Sequence, residues 1–352
     1  HCITYNTTAE DSSFGLFGGL SGTVKNLNVD GTITNAINKV GGIVGECFGG
    51  TIENCYSSVD IIGTAALDAC YAGVLARSSA SGVKVVNCIY DGTINAPEAY
   101  NIASFVGWAG DGCNATVTGC IFTGTIDANP ESGSNYSYTI ARRPDLIAVS
   151  NCYYVNEWVN YNEGSTQVTE EQVASGELCY MMNGEQTEIT WWQTLGTDAT
   201  PVPFSNSLQV YAAGNLDCTG QSADGSPLTY SNTKTQDIPD HQYHDGVCIV
   251  CGKVDPSMAS LVDGFYQIET ADQFIWFANL VNQGSNTANA KLLDDIDLSG
   301  YEFTVIGNSG NHYKGIFDGN YKTLTIDLVA TESSWGLFRH LDGTIQNLYL
   351  TG

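Results

Sequence analysis

Basic side chains are scarce in this sequence: 12 Lys and Arg stand against 38 Asp and Glu, for a formal charge of −26. That shortage excludes a nucleic-acid or anionic-lipid footprint, since both are gripped by Lys and Arg on phosphate. No run of about 18 apolar residues occurs, so no helix is expected to insert in a membrane. Proline is rare as well, at 8 residues, while glycine reaches 39. With Thr, Asn, Ser and Asp crowded between short apolar runs, that balance predicts an all-β chain rich in tight turns. The acidity first of all describes a solvated surface, and it also allows weakly bound calcium. A secretory leader is missing too, and His1 falls inside a pattern, which predicts a slice of a longer protein.

What the sequence has is repetition. A phrase recurs: an apolar pair beside small residues, then Gly-Thr and an apolar-Asn-apolar step, then often Gly-Thr-Ile. It is seen at Gly15-Leu16-Phe17-Gly18 with Asn26-Leu27, and again at Gly42-Ile43-Val44-Gly45 with Asn54-Cys55. It returns at Gly73-Val74-Leu75-Ala76 with Asn87-Cys88, and at Phe105-Val106-Gly107 with Gly119-Cys120. A degenerate fifth copy, Tyr138-Thr139-Ile140-Ala141, ends at Asn151-Cys152. Leu27, Cys55, Cys88, Cys120 and Cys152 are equivalent, at steps of 28, 33, 32 and 32 residues. Such steps, cut by Gly and polar turns, predict a right-handed parallel β-helix with three short sides per coil. Each inward side chain then sits about 4.8 Å from its equivalent. Insertions between Ile33 and Val40, Ile61 and Tyr71, and Ile126 and Tyr138 are expected to bulge from one edge.

A second repeat is longer. Residues 1–31 align without a gap on 322–352, at an offset of 321, with 13 identities. Phe14-Gly15-Leu16-Phe17 meets Trp335-Gly336-Leu337-Phe338, and Gly22-Thr23-Val24 meets Gly343-Thr344-Ile345. One period plus the start of the next is therefore expected, with neighbouring copies, head to tail, as partners.

The rest of the period reads as follows. Gly264 to Ile268 is a strand, and Thr270-Ala271-Asp272-Gln273 is a capping box opening a helix with a stripe at Phe274, Phe277, Ala278 and Val281. Gly284 is its stop, and strands are expected at 291–298, 303–306 and 322–328. Thr169-Glu170-Glu171-Gln172 is a second capping box, starting a helical stretch through Met182 that Asn183-Gly184 ends. Trp191-Trp192-Gln193 and Gln209-Val210-Tyr211 read as strands. Four segments follow: coils over 1–155, a capping or bridging segment over 156–215, a Cys/His-rich linker over 216–257, and the start of the next repeat over 258–352. The second is expected to cover or bridge the end of the stack, because a bare edge invites aggregation.

The Gly15-Leu16-Phe17-Gly18 and Gly42-Ile43-Val44-Gly45 phrases resemble the GLUG motif of repeat-rich bacterial surface proteins, adhesins among them. The resemblance covers roughly 14–152 and 303–352. The Glu269 to Gln273 helix start and Asp295-Ile296-Asp297-Leu298 are similar to the opening of such modules in gut-type anaerobes, and 192–198 to their closing segment. The resemblance implies a β-helix with an extracellular or cell-surface address, and it implies no catalytic residue.

Two groups stand out among the 12 cysteines. Cys55, Cys88, Cys120 and Cys152 share the Leu27 position, which predicts interior packing as free thiols. His241-Gln242-Tyr243-His244-Asp245-Gly246-Val247-Cys248-Ile249-Val250-Cys251-Gly252 is a Cys-x2-Cys knuckle with two histidines upstream. It presents two thiolates on one side of a turn, as tetrahedral zinc requires, and Cys218 with His241 or His244 completes four ligands. The surrounding segment lacks a core of its own and needs such a staple. A Cys248–Cys251 disulfide or a bare turn is the alternative.

Catalysis is not expected. Arg77, Arg142 and Arg143 are the only arginines in 1–160, and no carboxylate pair on neighbouring coils suits glycoside hydrolysis. Asp30, Asp60, Asp91 and Asp127 sit beside turns, where such side chains satisfy local backbone groups. A β-helix polysaccharide-degrading enzyme is one rival reading. The other is a carbohydrate-binding module, with Trp108, Trp158, Trp191, Trp192, Tyr153 and Tyr154 as a stacking platform. The same aromatics suit covering the stack. A Thr32, Thr93, Thr125 ladder is too narrow for an ice-binding face and is interrupted at Asp60. The expected role is structural: an adhesin shaft or filament that meets a host or environmental glycan or protein.

Overall fold

The computed structural model describes residues 3–6, 13–36, 38–64, 67–128, 137–158, 162–244, 246–302, 305–327 and 336–352. Parts of the three insertions, together with Asp245, Phe303, Leu328 and Trp335, lie outside the described residues. The chain forms two compact units, His1–Pro239 and Asp240–Gly352. No helix among the described residues is long and apolar enough to cross a membrane.

The first unit is a parallel β-solenoid. Strands Thr23–Lys25, Thr51–Glu53, Val83–Val86, Ala115–Thr118 and Ile147–Ser150 form one five-stranded sheet, one strand per coil. Equivalent residues lie side by side throughout. Val24, Ile52, Val85, Val117 and Val149 share one row, and Ile33, Ile61, Ile94 and Ile126 another. The backbone amides of Tyr56, Ile89, Ile121 and Tyr153 donate to the carbonyls of Leu27, Cys55, Cys88 and Cys120, one coil back. The stack has four parallel sheets where three sides per coil were expected. The apolar-pair phrase accounts for the difference: it is a corner joining two strands, Lys39–Gly41 and Val44–Cys47 in the second coil. Coil-to-coil approach keeps that corner glycine. A Cβ on Gly15 would lie 2.7 Å from the Gly41 carbonyl oxygen and 2.8 Å from that of Ile43.

The apolar-Asn-apolar step is the opposite corner, and here backbone conformation selects the residue. Asn26, Asn54, Asn87 and Asn151 have φ of 55°, 51°, 50° and 49°, and Gly119 takes the same place at 65°. Asn is the non-glycine residue best suited to this left-handed region, and the Asn54 amide also donates to Asn26 Oδ1 at 3.3 Å. The cysteines that follow are free, fully buried thiols. Each donates to the carbonyl two residues earlier, at 3.2, 3.2, 3.4 and 3.3 Å for Cys55, Cys88, Cys120 and Cys152. Burial raises the Cys120 thiol well above its ordinary value. Asp60 and Asp91 differ from expectation, because they bond across coils and not locally. Asp60 Oδ1 accepts from Thr93 N at 2.9 Å, and Asp91 accepts from the Tyr56 and Thr123 hydroxyls at 2.8 and 2.7 Å.

The segment after the coils does two things. Ser165–Gln167 adds a last parallel strand to Cys152–Tyr154, and Asn162 Oδ1 accepts from Ile140 N and Ala141 N at 3.2 and 3.1 Å. Beyond Val168 the chain packs along the flank, where Val173, Leu178, Cys179, Trp191 and Val210 share a core with Ile89 and Ile121. The helical stretch is two helices, α1 (Glu170–Ala174) and α2 (Glu177–Met182), broken where Gly176 takes φ 91°. Thr169 and Gln172 form the expected capping box. Trp191 to Gln193 is not a strand, because the Asn183 amide accepts from Thr190 N and Trp191 N and donates to the Trp191 carbonyl. Only a Trp192–Val202 bridge remains.

In the second unit, Phe265–Ile268 pairs with Ser260–Val262 and then, in parallel, with Asn289–Leu292. Ile316–Thr325 pairs with both Asn289–Leu292 and Ile296–Asp297. Helix α3 (Ala271–Asn282) buries Phe274, Phe277, Ala278 and Val281, the stripe its spacing predicts. Thr344–Thr351 stacks in parallel on Ile316–Thr325.

Candidate metal centre

The segment after Pro239 is short of apolar residues, so its shape rests on turns. Tyr243–His244 and Val247–Cys248 form an antiparallel hairpin, with Tyr243 opposite Cys248 and His244 opposite Val247. Gly246, just before its second strand, takes φ 77°, in the left-handed region open to glycine. Past Cys248 the chain reverses at once: Gly252 N donates to the Cys248 carbonyl at 2.9 Å, and Cys248 N to the Lys253 carbonyl at 2.8 Å. Gly252, at φ 76°, supplies the left-handed residue. This reversal brings Cys248 and Cys251 to the same side. His241 reaches them from the strand entry, its Nδ1 3.4 Å from Cys251 Sγ.

Cys218 stands on a turn stapled by its neighbour. Asp217 Oδ1 accepts from Thr219 Oγ1 at 2.6 Å, Thr219 N at 2.7 Å and Gln221 N at 3.2 Å. These bonds, led by the Thr219 hydroxyl, lower the Asp217 carboxyl pKa. Within the second unit the ligand atoms of His241, Cys248 and Cys251 all lie within 4.8 Å of one another. Of the four residues singled out by spacing in this unit, His244 is outside this group. On the hairpin it alternates with Tyr243, which pairs with Cys248, so its side chain leaves from the other face.

Two sulfurs and one imidazole suit zinc, which takes four such ligands tetrahedrally at about 2.3 Å for sulfur and 2.0–2.1 Å for nitrogen, and Cys218 is the fourth that the sequence offers. Bond lengths of that size put neighbouring ligand atoms roughly 3.5–3.8 Å apart. The observed His241–Cys251 separation of 3.4 Å is close to that. Cys248 is buried and Cys251 exposed, the graded exposure of a closed structural site at a surface. Bound there, the metal would act as a cross-link.

The other residues with a chemical reading are occupied structurally. Arg142 and Arg143 place their guanidinium carbons 5.1 and 4.8 Å from the centroid of the Trp108 ring. Arg143 also grips Asp145 and Asp111 at 2.9 and 3.1 Å. Trp191 is buried in the flank core and Trp158 packs against the coils. Thr93 and Thr125 hydroxyls meet at 3.2 Å, while Thr32 stands beside Asp60.

Residues 38–62 match the family described as the GLUG motif. Comparisons with curated proteins and with solved structures gave no match. The matched residues are the second coil of the stack, whose neighbours repeat its register on both sides. One coil of the stack therefore matches the GLUG motif, and the first unit is a parallel β-solenoid.

Proposed function

We propose that the chain is a structural repeat unit of a long extracellular or cell-surface bacterial β-solenoid, an adhesin shaft or filament that serves reach, adhesion or assembly and not catalysis. The observation that carries this reading is the parallel register kept through five successive coils in one sheet. A solenoid of this kind adds length by adding coils, since each coil touches only its neighbours. The internal repeat at an offset of 321 supplies a unit for such addition. Small-angle scattering on proteins of one, two and three periods tests it: the longest dimension should grow by a fixed increment per period. A dimension that stays constant sinks the shaft.

The same reading gives His241, Cys248 and Cys251 a structural zinc, with Cys218 as the fourth ligand that the sequence offers. Metal analysis of the purified protein should find one equivalent, lost on dialysis against a strong chelator. A Cys248–Cys251 disulfide in the fresh protein would refute it. The carbohydrate-binding alternative is weakened by Trp108, whose ring is taken by two guanidinium groups, and a glycan array measures what remains.

A further inference from the structure

The phrase that opens the coil stack occurs twice, and its two copies have opposite faces bare. In the first copy Leu16 and Phe17 are 41% and 38% exposed, whereas Val24 and Val29 are buried against the second coil. Ser13, Phe14, Leu16, Val29, Ile33 and Val59 line an open apolar cavity of about 400 Å³ there. In the second copy the pattern is reversed. Leu337, the equivalent of Leu16, is 5% exposed, while Leu350, the equivalent of Val29, is 52% exposed.

The covering of the second copy is visible in particular pairs, although Leu341, the equivalent of Leu20, stays 44% exposed. Ile306 bridges Phe338, Tyr313 bridges Leu341, and Phe317 pairs with Ile345. The Phe338 ring stacks on Tyr313 and meets Phe317 edge-on, with centroids 6.0 and 5.2 Å apart. Helix α3 backs them through Phe277, 6.1 Å from both Tyr313 and Phe317. Subtracting the offset of 321 turns Phe338, Leu341 and Ile345 into Phe17, Leu20 and Val24.

We propose that the bare face of the first coil is a docking surface for a preceding copy of residues 258–321, with Ile306 beside Phe17, Tyr313 beside Leu20 and Phe317 beside Val24. The shaft reading is needed only to supply that preceding copy. One adjustment comes with it. Ile3, the equivalent of Leu324, lies beside Gly31, whereas Leu324 lies beside Leu350, the equivalent of Val29. A two-residue slide closes that gap and keeps every side chain on its own face.

Extending the full chain at its amino end by a second copy of residues 258–321 tests the proposal by hydrogen exchange. Amides of residues 17–25 should slow on the order of a hundredfold, toward the protection of interior coils. The same extension carrying Ile306→Asp and Phe317→Asp in the added copy should leave exchange as in the unextended chain. A matching readout is Phe17→Asp, which should lower the melting temperature of the extended protein and leave that of the unextended one in place. Unchanged exchange with the native extension, or an extension that stays unstructured, overturns the proposal, because docking on this face is what the segment is held to do. Elongation per period in scattering without protection at residues 17–25 would leave the shaft standing and this docking refuted. Protection without elongation would do the reverse.

Discussion

The coil stack and the Cys/His segment are held together in contrasting ways. In the stack each coil buries its apolar side chains against the coils on either side, so Ile61, Ile94 and Ile126 form one row and Ile61 and Ile94 are fully buried. Burying such a side chain contributes about 1.5–3 kcal/mol, and the repeat multiplies it. The segment from Asp240 to Lys253 has no such supply: Ile249 and Val250 are 66% and 54% exposed. Its order rests on a hairpin, two left-handed glycines and three converging ligands. Periodic sequence builds a core by repetition; aperiodic sequence of this kind needs a cross-link.

The largest separation between the two should come from metal removal. Structural zinc in small modules carries an apparent binding free energy of about 10–16 kcal/mol. Chelator, or Cys248→Ser, should therefore abolish amide protection over 240–257 while the far-ultraviolet signal of the stack is kept. Simultaneous loss of both would erase the contrast. Next comes Ile94→Ala, inside the stack, which should cost about 2–5 kcal/mol in urea unfolding. The same truncation at Ile33, which faces the open end cavity, should cost less. Equal costs would mean that neighbouring coils do not determine a position's worth.

Corner geometry gives a smaller effect. Asn87→Ala should destabilise by about 1–2 kcal/mol through the left-handed backbone, and Asn87→Gly by less. A matching loss for both would assign the cost to the side-chain ladder instead. The smallest effect should come from acid. Burial raises the Glu46 carboxyl pKa, but hydrogen bonds from Ser79 and Ser13 at 2.5 and 2.8 Å and the charges of Lys39 and Arg77 outweigh it, leaving a net lowering. A carboxyl lowered in the fold adds stability above its unfolded value of 4.5, and loses it as pH falls through the lowered one. Glu46→Gln should flatten the fall in melting temperature below pH 4.5, and an unchanged slope would clear Glu46 of the effect.

Much of this was legible beforehand, for reasons that can be named. Leu27, Cys55, Cys88, Cys120 and Cys152 fall one coil apart in the backbone ladder because stacked coils force equivalent residues side by side. The α3 stripe was readable because burial on one helix face leaves a 3.6-residue period. Trp191 to Gln193 misled because its β-rich composition says nothing of Asn183, which takes the backbone groups a strand partner would use. The flank was hidden for a related reason. Ile89 and Ile121 look like interior residues in any alternation pattern, and only the fold shows that their partners are Val173 and Leu178.

The sequence by itself determined the coil period, the inward rows and the presence of a thiol and imidazole cluster. These follow from local backbone preference and from repetition, which need no knowledge of distant chain. Tertiary structure alone decided that the stack has four parallel sheets, that the post-coil segment runs along the flank, and that His241 joins the cluster while His244 does not. Those outcomes depend on which surfaces meet and on which side of a hairpin a side chain leaves, and spacing along the chain carries neither.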